Sequence, residues 1–390
     1  MTSTRRGFLH SAGLAGLGAG TLGVRAARAP ARASKPAPAV SFHGAHQAGI
    51  ATPAQNFLQL ASVDMVSDSL ADLRNLMSAW TSAAVLMAAG QPIGSPSTGP
   101  RPAVDTGEAL GLSAAGLTVT FGFGPSLFNK DGTDRFGLAG QRPAPLVDLP
   151  SFRHDALQAS ISGGDLVIQA CCDDPQVAFH AVHELIRMAH PVARPRWLLA
   201  GAGRTGNSTV QVMPRNLMGF FDGTANIMVE DGSALDEFVW AAGPASPDWM
   251  AGGSYLVARR IQIALGRWDA ASVTDQQQTI GRTKVTGNVL DRLPEHAHIR
   301  LASPGRNGGE RILRRGYTYV DGLEAGYGAP ATGLMFLCYQ RDPRSQFIPI
   351  QRRLSEGDAL NTFTTHIGSA IFACPPGAPA GGYVGQTLLH

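Results

Sequence analysis

The chain has 390 residues, with 32 Lys and Arg against 29 Asp and Glu and 16% charged residues overall, so it offers no basic stripe of the kind that neutralises nucleic-acid phosphates. Its length allows two domains, each able to bury a core without disulfide or metal staples. The 47 glycines and 26 prolines favour a loop-rich globular chain over a helical bundle and follow no collagen-like period.

The first 33 residues stand apart from the fold. Arg5 and Arg6 precede Phe8, Leu9 and a weakly apolar Gly/Ala-rich run too short to span a bilayer. This segment resembles a twin-arginine export signal. Cleavage is expected between Ala33 and Ser34, because cleavage after Ala29 would leave Pro30 at the new N-terminus. The resemblance implies recognition by the twin-arginine export machinery, a periplasmic or extracellular destination, and a chain that folds, often around a cofactor, before it crosses the membrane.

Alternation predicts a strand from Phe57 to Val66. Leu70, Leu73, Leu76, Met77 and Trp80 then fall at helical spacing, giving a helix from about Ser69 to Ala89 that Gly90 ends. The Gly/Pro/Ser-rich stretch to Gly116 reads as a long surface loop. "LTVTFGFG" and "DLVIQACC" are strands, "PQVAFHAVHELIRMA" is a helix with Pro175 in its first turn, and a strand follows around Trp197. This order predicts an α+β fold with helices on one sheet face. A polar segment before Pro214 suggests a boundary, which divides the mature chain into 34–214 and 215–390. In the second part "SYLVARRIQIAL", "RILRRGYTYV", "TGLMFLCYQ" and "GSAIFACPP" read as strands; "DAASVTDQQQTIGRTK", "DPRSQFIPIQRRLS" and "EGDALNTFTTH" read as helices. Cys171, Cys172, Cys338 and Cys374 have no C-x-x-C framework. Cys338 and Cys374 read as buried thiols, with a disulfide between them left open.

Three places could carry chemistry. In "NLMGFFDGTAN", Asp222 follows Phe220 and Phe221. Asp-Gly alone is a turn signal, yet a carboxylate among residues that seek burial must be paired, hydrogen-bonded or raised in pKa, which makes it an acid-base candidate. His296 and His298 form a His-x-His pair, but no nearby ligand set completes a zinc shell, whereas a single imidazole suits the proximal position of a haem iron. Arg314 and Arg315 interrupt an apolar strand. Adjacent strand residues face opposite ways, so one guanidinium points inward and needs an anion, unless the pair guards a sheet edge.

Asp222, His298 and Arg314, with the surrounding "GFFDGTAN", "HIRLASP" and "RILRRGYTY" and with "HQAGI", "GGSYLVARRIQI", "IGRTK" and "IGSAIFACPPG", resemble the dye-decolourising peroxidase family over nearly the whole mature chain, and in particular its exported, deferrochelatase/peroxidase-like branch. The resemblance implies two ferredoxin-like domains with haem b in the C-terminal one. It implies His298 as iron ligand, Asp222 and Arg314 as the catalytic pair, and Gly223, Thr224 and Ala225 against the haem. Asp358 would steady the imidazole. It further implies hydrogen peroxide and small aromatic or dye electron donors as substrates, with Phe220 and Phe221 keeping the site narrow. Large donors would then deliver electrons through an exposed aromatic residue among Trp80, Trp240, Trp249, Trp268, Tyr327 and Tyr383. A haem- or iron-handling protein with incidental peroxidase turnover is the alternative, and a chlorite dismutase-like protein a third; a homo-oligomer is compatible with all three.

Overall fold

The computed structural model describes residues 39–95, 100–210, 213–244, 246–323 and 330–390; the N-terminal signal, its cleavage site and Tyr327 lie outside them. The strands are β1 (Phe57–Met65), β2 (Thr118–Phe123), β3 (Leu166–Cys172), β4 (Ala193–Ala202), β5 (Ser254–Ile263), β6 (Leu313–Arg314), β7 (Tyr317–Leu323), β8 (Pro330–Gln340) and β9 (Thr364–Cys374). The helices are α1 (Leu70–Ala88), α2 (Pro125–Phe128), α3 (Pro175–Ala189), α4 (Gly232–Phe238), α5 (Leu265–Ala270), α6 (Val273–Ile280), α7 (His298–Leu301) and α8 (Phe347–Gly357).

All ladders between the strands are antiparallel. The order β5-β9-β2-β3-β1-β4-β7-β8 is closed by a further β5–β8 pairing, with β6 continuing the β7 edge along β8. The first half contributes β2-β3-β1-β4 and the second β7-β8-β5-β9. Each is the second, third, first and fourth strand of its own half, the order of a ferredoxin-like unit. The seams between halves are thin: one register pair, Phe123 with Ala373, joins β2 to β9, and one, Ala202 with Thr318, joins β4 to β7.

Closure buries both sheet faces, which is why β3 reads as a continuous apolar run rather than an alternating one. Leu58 and Leu60 of β1, Val167 and Cys171 of β3, Leu256 of β5, Leu337 and Tyr339 of β8 and Phe372 of β9 share the interior cluster. Their neighbours Ala61, Val63, Ile168, Val257, Cys338 and Ile371 point outward, and many of these pack under α1 and α3. Helix α1 starts where the Ser69 side chain accepts from the Asp72 N–H, and α3 where Asp174 accepts from Gln176 and Val177 ahead of Pro175. The Trp80 indole of α1 donates to the Leu185 carbonyl of α3 (2.7 Å), fastening the two helices together.

Several expectations are corrected. The helix predicted over "EGDALNTFTTH" divides into the end of α8 at Gly357, a 3-10 turn, Ala359–Thr362, and the start of β9 at Thr364; two threonines and the long ladder to β5 favour the strand. "DAASVTDQQQTIGRTK" breaks at Ser272, which caps α6, and at Gly281, which ends it with φ +95°. "RILRRGYTYV" pairs only from Leu313 and is interrupted at 315–316. All four cysteines are buried free thiols, so Cys338 and Cys374 do not pair. The four tryptophans proposed as exposed electron relays, Trp80, Trp240, Trp249 and Trp268, are buried; their size makes them core fillers here. Tyr383 is half-buried.

Candidate active site

The segment before Asp222 is a tight hairpin. The Asn216 side chain accepts from the N–H groups of Met218 (3.1 Å) and Phe220 (3.2 Å), and Gly219 takes φ +83°. Phe220 is buried edge-on against Trp268, and Phe221 lies beneath the Arg215 guanidinium, 3.8 Å from its ring centroid. These contacts hold both phenylalanines in place. They also anchor the chain so that Asp222, whose N–H donates to the Pro214 carbonyl (2.9 Å), leaves the hairpin at a fixed point. Gly223 follows with φ +96°, and a Cβ there would sit 2.1 Å from the Gly206 oxygen, so only glycine fits. Of its neighbours, Thr224 is half-buried and Ala225 exposed.

The alternation of β6 and β7 separates the two arginines. Leu313, Arg315, Tyr317 and Tyr319 are buried inward, and the Arg315 guanidinium donates to the Thr52 carbonyl and to Gln55 Oε1. The expected anionic partner of the inward arginine is thus replaced by neutral oxygens. Arg314, opposite Cys338 in the ladder, points the other way, and its Nη1 donates to Asp222 Oδ1 at 3.1 Å. The pair is partly accessible, 29% for the arginine side chain and 13% for the aspartate.

His298 opens α7. Its Nδ1 lies 2.6 Å from Asp358 Oδ2, while Asp358 Oδ1 accepts from the Leu360 N–H (2.8 Å) and so caps the 3-10 turn that follows α8. The preceding residue pair is held to the same loop by backbone: the Ala359 N–H donates to the His296 carbonyl (2.9 Å), and His296 Nδ1 sits 2.9 Å from the Gly357 carbonyl. His296 is therefore occupied in structure. Burial alone would push the His298 imidazole down, but the charge and hydrogen bond of Asp358 raise it more, with Arg314 opposing and Asp222 adding, so it titrates above its ordinary value. Both members of the pair are thus near enough to act electrostatically on His298, whose side chain is 34% accessible.

This donor set fits a haem. A carboxylate on Nδ1 fixes the tautomer and leaves Nε2 with a lone pair for one iron position. Sequence reasoning missed two residues. Arg282, in "IGRTK", is near enough to Arg314 for the two positive charges to act on each other; burial and then that charge lower its pKa, and its Nε has no hydrogen-bond partner. It is a candidate for the anionic edge of the cofactor, and an isolated Arg in a polar stretch gave no signal of this. Asn226, at the end of "GFFDGTAN", binds the backbone of Arg314. By contrast the Ser303 hydroxyl turns back to the Arg300 carbonyl (2.8 Å). A second buried group of ligand-type residues, Asp105, His180 and Glu184, is engaged by the N–H groups of Ile93 and Gly107, by Thr106 and by Arg187; it pins the loop after α1 to α3.

The family profile "Dyp-type peroxidase, N-terminal" matches residues 47–202 and "Dyp-type peroxidase, C-terminal" residues 213–379. A dye-decolorizing peroxidase of Thermobifida fusca is 35% identical, with 100% of this chain and 97% of that protein covered. A deferrochelatase of Escherichia coli is 35% identical over 90% of this chain and 87% of its own length. The crystal structure of a DyP-type peroxidase from Streptomyces coelicolor superposes with a TM-score of 0.83 at 38% identity, covering 91% of this chain and 98% of that one. With the closed antiparallel sheet of two ferredoxin-like halves, these matches show that the chain belongs to the DyP-type peroxidase family.

Proposed function

We propose that in this haem peroxidase Asp222 and Arg314 together drive heterolysis of hydrogen peroxide, and that His298, held by Asp358, is the iron ligand. The observation that carries the proposal is the partly accessible Asp222–Arg314 contact at 3.1 Å, beside the His298–Asp358 contact at 2.6 Å on the chain's other ligand-bearing segment. Haem b supplies an iron that binds peroxide and accepts the oxidising equivalents. Asp222 would take a proton from one peroxide oxygen and return it to the departing one, which is general acid-base work. Arg314 stabilises the negative charge that develops on the leaving oxygen from a fixed position, with no reorganisation at the moment of reaction. Asp358 keeps the His298 proton on Nδ1, so Nε2 remains a donor of electrons. Arg282, whose Nη1 donates to the Gly287 carbonyl at 2.8 Å and whose Nε has no partner, would offer its charge to the cofactor's carboxylates. Small aromatic and dye donors are the reductants.

Asp222→Asn keeps the size of the side chain and removes the proton acceptor, a change expected to slow the peroxide reaction about 10²–10⁴-fold. Arg314→Leu should cost about 3 kcal/mol of transition-state stabilisation. Stopped-flow absorbance of the haem-loaded variants measures both. Relatives named deferrochelatase favour a second reading, in which the protein handles haem or iron. Under that reading both variants react with peroxide as fast as the parent while haem or iron release is impaired.

Export through the twin-arginine route is part of the same proposal and is supported by Arg5, Arg6, Phe8 and Leu9. Arg5→Lys with Arg6→Lys should leave folded, haem-loaded protein in the cytoplasm, and the exported parent should begin at Ser34 on N-terminal sequencing.

A further inference from the structure

We infer that Asn226 is a positioning residue for the peroxide reaction: its carboxamide stands in for a missing neighbour strand and holds the Arg314 backbone, which sets the Asp222–Arg314 contact. Strand β6 is two residues long and is paired to β8 on one side. On the other side the nearest ladder, β4 with β7, reaches only Ala202 and Thr318, so the edge of Arg314 has no strand beside it. A buried peptide group without a partner is costly. Asn226, 4% exposed, fills the gap. Its Oδ1 accepts from the Arg314 N–H at 2.8 Å, and its Nδ2 donates to the Arg314 carbonyl at 2.8 Å and to the Gly206 carbonyl at 3.3 Å.

One side chain thereby meets both main-chain groups of the arginine, as a facing residue of an antiparallel ladder would. The clamp is itself fixed. The Asn226 N–H donates to the Gly223 carbonyl (3.1 Å), closing the turn that begins at Gly223, directly after Asp222, and the Arg311 guanidinium donates to the Asn226 carbonyl (3.3 Å). Asp222 and Asn226 thus flank one tight turn, at the two ends of a five-residue segment. One end meets the Arg314 side chain and the other its backbone. Aspartate has no donor, and the single oxygen of serine cannot reach both main-chain groups; asparagine has a separate acceptor and donor at the right spacing.

The inference rests on the peroxidase reading, and three measurements on haem-loaded protein test it. In Asn226→Ala the Arg314 amide should exchange with deuterium at least about tenfold faster, as expected when a buried bond is replaced by access to solvent. The Arg315 amide, which donates to the Leu337 carbonyl at 2.8 Å, should be unchanged and serves as the internal control. The second-order rate with hydrogen peroxide should fall on the order of 10²-fold, the loss that follows a small displacement of a catalytic group. In an Arg314→Leu background the same substitution should change that rate less than about threefold, because the positioned side chain is gone and the two effects are coupled. Asn226→Ser, whose hydroxyl replaces one of the three bonds, should fall between parent and Ala in both exchange and rate, and it carries the test should the Ala variant not fold. Unchanged exchange at Arg314, or an equal loss of rate in both backgrounds, overturns the inference. Failure of the peroxidase reading would show separately, as full peroxide reactivity in Arg314→Leu itself.

Discussion

Asp358→Asn is the sharpest probe of the His298 end of the site, because it changes one atom. In the parent, Asp358 uses its two oxygens for two tasks: Oδ1 accepts from the Leu360 N–H at 2.8 Å and Oδ2 accepts from His298 Nδ1 at 2.6 Å. A carboxamide has one oxygen and one NH₂ and cannot do both. If the oxygen stays on Leu360, the NH₂ faces Nδ1, the imidazole must accept there, and its proton moves to Nε2, where it occupies the lone pair the iron needs. If the oxygen turns to His298, the 3-10 turn loses its cap and two N–H groups confront each other. The charge-assisted bond lost is of a kind that contributes about 1.5–3 kcal/mol. Removing such a partner of a metal-bound histidine typically costs about 10–100-fold in metal affinity, and at about 1.4 kcal/mol per factor of ten the two estimates agree. The assay is transfer of haem from the loaded protein to an excess of a haem-scavenging protein, followed at the Soret band, with the iron–imidazole stretch recorded by resonance Raman. Haem should leave about 10–100-fold faster and the stretch should fall, since a neutral partner donates less electron density through the ring. An unchanged rate together with an unchanged stretch would refute the reasoning that Asp358 sets the tautomer of His298.

Gly223→Ala should destabilise the protein by about 2 kcal/mol or more, from a strained positive φ together with a Cβ placed 2.1 Å from the Gly206 oxygen, and should slow the peroxide reaction because the turn carrying Asp222 must shift. A denaturant midpoint and a peroxide rate both equal to the parent's would show that the close approach does not exist. His366 gives a pH dependence: burial, and then the charge of Arg259, push its imidazole down to about 3, while Nδ1 accepts from Arg259 Nε at 3.2 Å. The unfolded chain takes up this proton near pH 6.5 and the folded protein does not, so the stability contributed by neutral His366 is complete above about pH 6.5 and is lost progressively toward pH 3. His366→Gln keeps an acceptor for Arg259 and removes the titration. Its melting temperature should fall less than the parent's between pH 7 and pH 4, and parallel slopes would contradict the assignment.

Sequence alone determined the elements whose signals are local. The helix at Leu70 carries its cap and its apolar face within twenty residues, and the Pro175 helix carries its own capping Asp174; both stand where their residues placed them. Asp222, His298 and Arg314 were legible because each is chemically out of place in its own neighbourhood: a carboxylate after two phenylalanines, an imidazole ahead of an apolar strand, and a cation inside one. What sequence could not decide was how distant segments share space. Closure of the two four-stranded halves into one barrel depends on single register pairs at the seams, which no local pattern encodes. Tertiary packing likewise buried the tryptophans, Trp80 between α1 and α3 and Trp268 against Phe220 and Phe363, and the ladder to β5 turned Thr364 and Thr365 from a predicted helix into the start of a strand. Which of two adjacent arginines meets Asp222 was settled by the parity of β6 against β8, since a shift of one residue would exchange Arg314 and Arg315 between the Asp222 side and the barrel interior. The partner of Arg315 shows the limit of reasoning from charge. A buried guanidinium calls for an anion when considered alone, but the folded barrel supplies the carbonyl of Thr52 and the amide of Gln55 from a strand-entry loop some 260 residues away, and hydrogen-bond geometry, fixed only in three dimensions, replaced the charge that the sequence led one to expect.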